Sequence, residues 1–207
     1  MGRWEPDARG RLAAAALQLY SERGYEQTTV AEIAKRAGLT ERTFFRHYAD
    51  KREVLFSGAV DLQELFVREV AGAPENAAPI DALALGLDAV AEAFADRRAF
   101  ARTRHAVITA NAELQERELI KLASLSAALA DTLRGRGVAE PAASLAAEAG
   151  VAVFKVGFER WIGASEERDM VQLVREALTE FKAVAAGGRC VLEHPRTGVG
   201  TQASGAP

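Results

Sequence analysis

The sequence predicts an all-α protein of about nine helices, and three observations predict it. Runs rich in Ala, Leu, Glu and Arg, good helix formers all, fill most of the 207 residues. Apolar residues in those runs recur at three- and four-residue intervals, while strict apolar/polar alternation over strand lengths is missing. Gly, Pro and capping residues interrupt the runs at helix-length spacings. With 49% apolar and 27% charged residues, the chain has the bulk for one or two domains around a true core.

Leu12, Ala15, Ala16, Leu19 and Tyr20 form one stripe of a first helix that begins near Asp7 and stops at Gly24. Thr29 and Glu32 have the spacing of a capping box, followed by Val30, Ile33, Ala34 and Ala37 at i, i+3, i+4 and i+7. This second helix ends at Gly38, which tolerates the left-handed backbone of a tight turn. Thr40 caps a third helix to about Tyr48, and Asp50 caps a fourth, long helix from Lys51 to about Val70. "AGAPENAAP" breaks the chain, and Pro79 suits the first position of the next helix. Further helices are expected at about 80–95, 97–109, 111–134, 141–163 and 168–186, joined by short Gly- and Pro-bearing links typical of a bundle. From Gly187 onward helical periodicity is lost, and the segment is expected to be a flexible tail. The expected division is therefore 1–50, 51–186 and 187–207.

The N-terminus lacks the apolar stretch of a secretory signal, and no run is long and apolar enough for a bilayer, so a cytoplasmic protein with no membrane partner is expected. The single Cys190 cannot form an internal disulfide. His47, His105 and His194 are scattered, no nucleophile has an adjacent base, and no glycine loop is spaced to cradle phosphate; neither an enzyme nor a cofactor is expected.

The net charge of −3 hides a local reversal. Residues 1–60 carry a balance of +2 and residues 61–207 a balance of −5, while residues 35–52 alone hold six basic and two acidic side chains. Any polyanion contact should be local too. Within that stretch, "GLTERTFFRHY" follows the glycine turn of what reads as a helix-turn-helix, with Ala34 small at the crossing and Leu39 and Phe44 as apolar pins. Turning Phe44 to the core at 100° per residue brings Tyr48 beside it and sends Arg42 and Arg46 outward. Thr43 and Phe45 flank the arginines. His47 falls toward the edge of the core.

This strip suits a DNA major groove: guanidinium groups contact guanine edges, and Thr or Phe lies against thymine methyls. Thr29 and Lys51, at neighbouring helix starts, are placed to meet phosphates. The alternative is a solvated helix face or a protein-binding groove.

"TTVAEIAKRAGLTERTFFRHYADKREVLF" resembles, without a gap, the DNA-binding signature of the TetR family of transcriptional regulators. The resemblance covers about residues 7–60. It implies phosphate contacts from Thr29, His47 and Lys51, and base or near-base contacts from Glu41, Arg42 and Thr43. Where the family commonly has a tyrosine, Phe45 has no hydroxyl for a phosphate, and an apolar groove contact is expected instead; Ala49 stands where proline is frequent. The full candidate DNA-binding set is Thr29, Thr40, Glu41, Arg42, Thr43, Phe45, Arg46, His47 and Lys51.

The resemblance also implies that the remaining helices form a ligand-binding and dimerisation domain. The residues give their own reasons. Met170, Leu173, Val174, Ala177, Leu178, Phe181 and Val184 make one apolar stripe, while the helix before it is apolar on more than one side, so it must pack on two partners. One partner is its own domain; the other is read as a second copy, with Gly150 and Gly157 permitting close approach, giving a homodimer through the last two helices. The rival is burial of both faces within one chain. Phe66, Phe94, Phe100, His105, Phe154, Phe158 and Trp161 are candidates for a ligand pocket, against the plainer reading of aromatics as core. Arg97, Arg98, Arg102 and Arg104 form either a solvated cationic face or a mouth for an anionic ligand. "ANAELQERELIKLASLSAALADTLRGRG" is similar to the C-terminal domain of a TetR subgroup that binds acyl-coenzyme-A-like molecules.

The expected function is a sequence-specific, DNA-binding transcriptional regulator, a ligand-released repressor. It would bind a palindromic double-stranded operator as a dimer and be released by an apolar or amphipathic inducer. The alternative is a protein-interaction module that keeps the helix-turn-helix shape without DNA affinity.

Overall fold

A computed structural model describes residues 7–166 and 168–187. Among them are nine α-helices and no strand. The Asp7 carboxylate accepts from Gly10 N at 2.8 Å and starts α1 (Ala8–Arg23). The capping box is formed in full: Thr29 N donates to Glu32 Oε2 at 2.9 Å, and Thr29 Oγ1 accepts from Glu32 N at 3.3 Å. It opens α2 (Val30–Arg36). Gly38, at φ +68, turns the chain, and Leu39 N closes back on Ala34 O at 2.8 Å. Thr40 then caps α3 (Glu41–His47) by accepting from Thr43 N at 3.2 Å.

The expected long helix from Lys51 does not form as one piece. Asp50 does act as a cap, accepting from Arg52 N at 2.8 Å and Glu53 N at 3.1 Å, but what it caps is a 3-10 turn, Glu53–Phe56. Val54, Leu55 and Phe56 are all buried. Successive side chains of a 3-10 turn point about 120° apart, so the burial of all three means that the turn is enclosed on several sides by the apolar cluster it shares with α1, α6 and α7. The helix proper, α4 (Ala59–Ala71), begins only after Gly58.

Then follow α5 (Pro79–Ala93), with its proline in the first turn as expected, α6 (Arg98–Thr109), α7 (Ala112–Gly135), α8 (Ala142–Gly163) and α9 (Met170–Ala185). The predicted tail, with Cys190 and His194, lies outside the described residues beyond Gly187.

Two apolar clusters hold these elements. The first gathers α1, α2, α3 and the 3-10 turn around Leu12, Ile33, Phe44 and Phe56, and takes in Val107 and Ile108 from α6 and Leu114 from α7. The second gathers α4, α5, α7, α8 and α9 around Phe66, Leu83, Leu129 and Trp161, and takes in Ala101 from α6. The N-terminal half of α6 therefore belongs to one cluster and its C-terminal end to the other, and Ala59 joins the foot of α4 to the first.

At Gly157 the backbones of α8 and α9 come close. A β-carbon there would lie 3.0 Å from the backbone Cα of Val174 and 2.7 Å from its Cγ2. At Gly150 the added carbon would meet Leu83 of α5 at 3.2 Å. Both glycines thus serve contacts inside the chain, not the approach of a second copy expected of them. The outward face of α8 is instead marked by Leu145 and Val156, which are exposed.

Candidate functional site

The third helix presents its two sides as its sequence requires. Phe44 is fully buried and Tyr48 nearly so, with ring centroids 5.5 Å apart, and the Tyr48 hydroxyl donates to Arg9 O at 3.0 Å. Opposite them, Glu41, Arg42, Phe45, Arg46 and His47 are exposed. Thr40, Arg42, Thr43, Phe45 and Arg46 line one shallow concavity. The two threonine hydroxyls lie 3.0 Å apart at its start. Phe45 is 57% exposed, its ring set edge-on against Phe44, so an apolar surface stands in solvent beside the two guanidinium groups.

Arg42 has no hydrogen bond or ion pair among the described residues, and Arg46 approaches only His47 Nε2, at 3.5 Å. Nearby arginines are paired: Arg23 with Glu32 at 2.9 Å, Arg36 with Glu22 at 3.0 Å, and Arg52 with Asp50 at 2.6 Å. Arg42 and Arg46 on α3 thus have no carboxylate partner among the described residues.

Two of the expected positions differ. His47 is exposed instead of sitting at the edge of the core. Lys51 turns inward: its ammonium donates to the carbonyls of Tyr25 at 2.9 Å, Thr28 at 3.1 Å and Glu26 at 3.3 Å, and lies 4.2 Å from the Tyr25 ring centroid. An ammonium has three hydrogens to give, and these carbonyls take them. Lys51 therefore ties the α1–α2 turn to the chain leaving α3, an internal role in place of the expected phosphate contact. Thr29 stays exposed, although its hydroxyl is engaged with Glu32 at 2.9 Å.

A second feature is a cavity of about 550 Å³ between the two apolar clusters. Five of the seven expected pocket residues line it: Phe94, Phe100, His105, Phe154 and Phe158. Trp161 does not line it; it is buried behind Phe94 and Phe158, with centroids 6.1 and 6.0 Å away. Phe66 is also outside it, fully buried where α4 crosses the bare backbone of Gly86. The lining holds residues the sequence did not single out, Leu62, Leu122 and Leu125, and on the side of the first cluster Gly10, Ala13, Ala14, Leu55 and Phe56.

The arginines of α6 are neither a free face nor a simple mouth. Arg98 donates to Trp161 O at 2.9 Å, to Glu166 O at 3.0 Å and to Ala164 O, while Arg102 donates to Ile162 O at 2.8 Å. These are the orphan carbonyls at the end of α8 and the loop after it, and cations satisfy such an end well. Arg104 lines the cavity, donating to Leu55 O at 2.7 Å and to Glu118 at 3.1 Å.

Residues 12–57, from α1 through the 3-10 turn, match the family model of bacterial regulatory proteins, tetR family. The likeness to the TetR family is thus carried by this N-terminal, helix-turn-helix segment. The HTH-type transcriptional regulator TcmR of Streptomyces glaucescens is 37% identical over 82 residues, 40% of this chain and 36% of that one. AcrR of Shigella flexneri is 36% identical over 64 residues, 31% of this chain and 29% of that one. The chain thus matches about a third of the length of these curated relatives.

Solved structures extend the likeness in fold to most of the chain. FadR from Bacillus subtilis in complex with stearoyl-CoA superposes with TM-score 0.58 at 20% identity, covering 83% of this chain and 96% of that one. SmeT of Stenotrophomonas maltophilia, in its triclosan complex, superposes with TM-score 0.62 at 18% identity, covering 86% and 90%. At these identities what is shared is the fold. No described helix of this chain is long and apolar enough to cross a membrane.

Proposed function

We propose that the protein is a transcriptional regulator that binds a palindromic DNA operator as a homodimer and releases it when a small apolar or amphipathic molecule occupies the cavity. The observation that carries this reading is the outward, largely unpartnered pair Arg42 and Arg46 on a helix braced from behind by Phe44 and Tyr48. Guanidinium groups with no carboxylate to satisfy them are available to guanine edges and phosphates. Thr29, Thr40, Glu41, Thr43, Phe45 and His47 surround them as further candidate contacts.

The second copy is assigned to the outer faces of α8 and α9, where Leu145, Val156 and Val184 are exposed. Leu145, Ala149, Ala152 and Val156 fall on one stripe of α8, of the kind a twofold contact covers. Such a dimer must hold its two copies of α3 about one DNA turn, roughly 34–36 Å, apart. The division at residues 50 and 186 and a cytoplasmic location belong to the same reading. For the effector, the cavity supplies aromatic and aliphatic walls, and two regulators of this fold hold stearoyl-CoA and triclosan.

Selection of bound fragments from a random DNA pool tests the whole reading. A twofold-symmetric consensus is expected, with affinity falling steeply as salt rises. No enriched sequence, together with a flat salt response, would favour a protein-interaction module instead.

A further inference from the structure

We propose that the effector is an anionic amphiphile and that Arg104 is the residue through which its acidic head acts on the DNA-binding unit. This deepens the reading above and rests on the cavity being the effector site. Arg104 stands on α6, the helix shared by both apolar clusters. Its Nε donates to Leu55 O at 2.7 Å, its Nη1 donates to Glu118 at 3.1 Å, and its Cζ lies 5.1 Å from the Phe56 ring centroid. Leu55 and Phe56 are buried in the cluster that positions α3. One guanidinium therefore touches the cavity, the helix-turn-helix core and α7 together.

The lining favours a negative head. Four permanent cations, Arg97, Arg104, Lys121 and Lys155, face three carboxylates, Asp96, Glu118 and Glu159, with His105 beside them. Lys121 is drawn to Glu53 at 3.5 Å and Arg104 to Glu118; Arg97 and Lys155 have no ion pair among the described residues. Burial lowers the basicity of Arg104, and Glu118 restores only part of it, so an approaching anion meets a poorly solvated cation. Phe94, Phe154, Phe158, Leu122 and Leu125 offer the tail an apolar seat. When the head takes hydrogen bonds from Arg104, the guanidinium withdraws from Leu55 O, and the buried turn that shares a core with Phe44 of α3 loses a charged anchor. The small residues Gly10, Ala13 and Ala14 let the occupant reach α1 directly.

The probes are decanoate, decyl phosphate, decanol and decyltrimethylammonium, below micelle-forming concentrations, followed by Trp161 emission in a Trp4→Phe protein. Decanoate or decyl phosphate is expected to bind about tenfold tighter than decanol, the worth of a charged hydrogen bond. The two acids distinguish a carboxylate from a phosphate head. Arg104→Met should abolish that preference while decanol binding persists, a result that a merely structural role would not give. Glu118→Gln, which removes the competing carboxylate, should tighten decanoate binding and serves if Arg104→Met does not fold. On a selected operator, decanoate should weaken DNA binding by the wild-type protein, and Arg104→Met should uncouple the two.

Equal binding of decanol, tighter binding of the cation, or a preference for acids that survives Arg104→Met overturns the proposal. Because emission is read without DNA, a protein that selects no operator but discriminates the acids fails only the regulatory reading. One that binds DNA and shows no discrimination fails only this inference.

Discussion

Helices α3 and α6 both carry arginines one turn apart and spend them in opposite ways. On α6, Arg98 and Arg102 end on carbonyls of the α8 terminus and Arg104 on Leu55 O and Glu118. On α3, Arg42 meets no protein group among the described residues and Arg46 only a histidine. The difference teaches that a cationic run has no meaning until its acceptors are known. Carbonyls at the end of a neighbouring helix turn arginine into a brace, and open solvent leaves it for a partner.

Four measurements can break or sharpen that contrast. The largest effect is expected behind α3: Phe44→Ala should cost about 3–5 kcal/mol in denaturant unfolding, because it empties a fully buried site. A small loss would mean that α3 is not braced as described. Next, Arg98→Ala should cost about 1.5–3 kcal/mol, the range for charged hydrogen bonds, with DNA affinity little changed. Arg42→Ala should reverse the pattern. Its unfolding should stay within about 0.5 kcal/mol of the parent, while discrimination at one operator position falls by about 1–3 kcal/mol. If Arg42→Ala unfolds the protein, or Arg98→Ala alters sequence preference, the two helices have been assigned the wrong way round.

The smallest effect concerns acid. Burial works against the Asp50 carboxylate, yet hydrogen bonds from Arg52 and from the Glu53 and Arg52 amides outweigh it and hold its pKa below the ordinary value. A lowered folded-state pKa means that the contribution is present above the unfolded value and is lost as pH falls through the folded one. The stability gap between the parent and Asp50→Asn should therefore narrow on acidification below the usual carboxylate range. A gap that widens there contradicts the assignment.

Helix starts were legible in the sequence because their chemistry is local. Thr29 with Glu32, Thr40 and Pro79 each mark a boundary within a few residues, and the period around Phe44 correctly separates the buried from the open side of α3. What depends on distant partners was not legible. Lys51 looks like any cation at a helix start until the carbonyls of Tyr25, Glu26 and Thr28 are brought under it.

The break at residues 53–58 left a weak signal: three consecutive apolar residues followed by Ser57–Gly58, a pattern that suits a tight turn better than a long helix. The cavity was half legible. Aromatics announce themselves, but Gly10, Ala13 and Ala14 contribute by being small, and only assembly shows what they make room for. Gly157 misled for a related reason, since a glycine's spacing tells that something comes close and not what.

Lys51 also bears on how the N-terminal unit meets reagents. Its amine is held by three oxygens and an aromatic face, so acylating agents and proteases that cut beside lysine should spare it long after the exposed Lys35 has reacted. Loss of that protection would report the clasp between α1–α2 and the chain after α3 coming undone, a footprint readable by mass spectrometry without any DNA present.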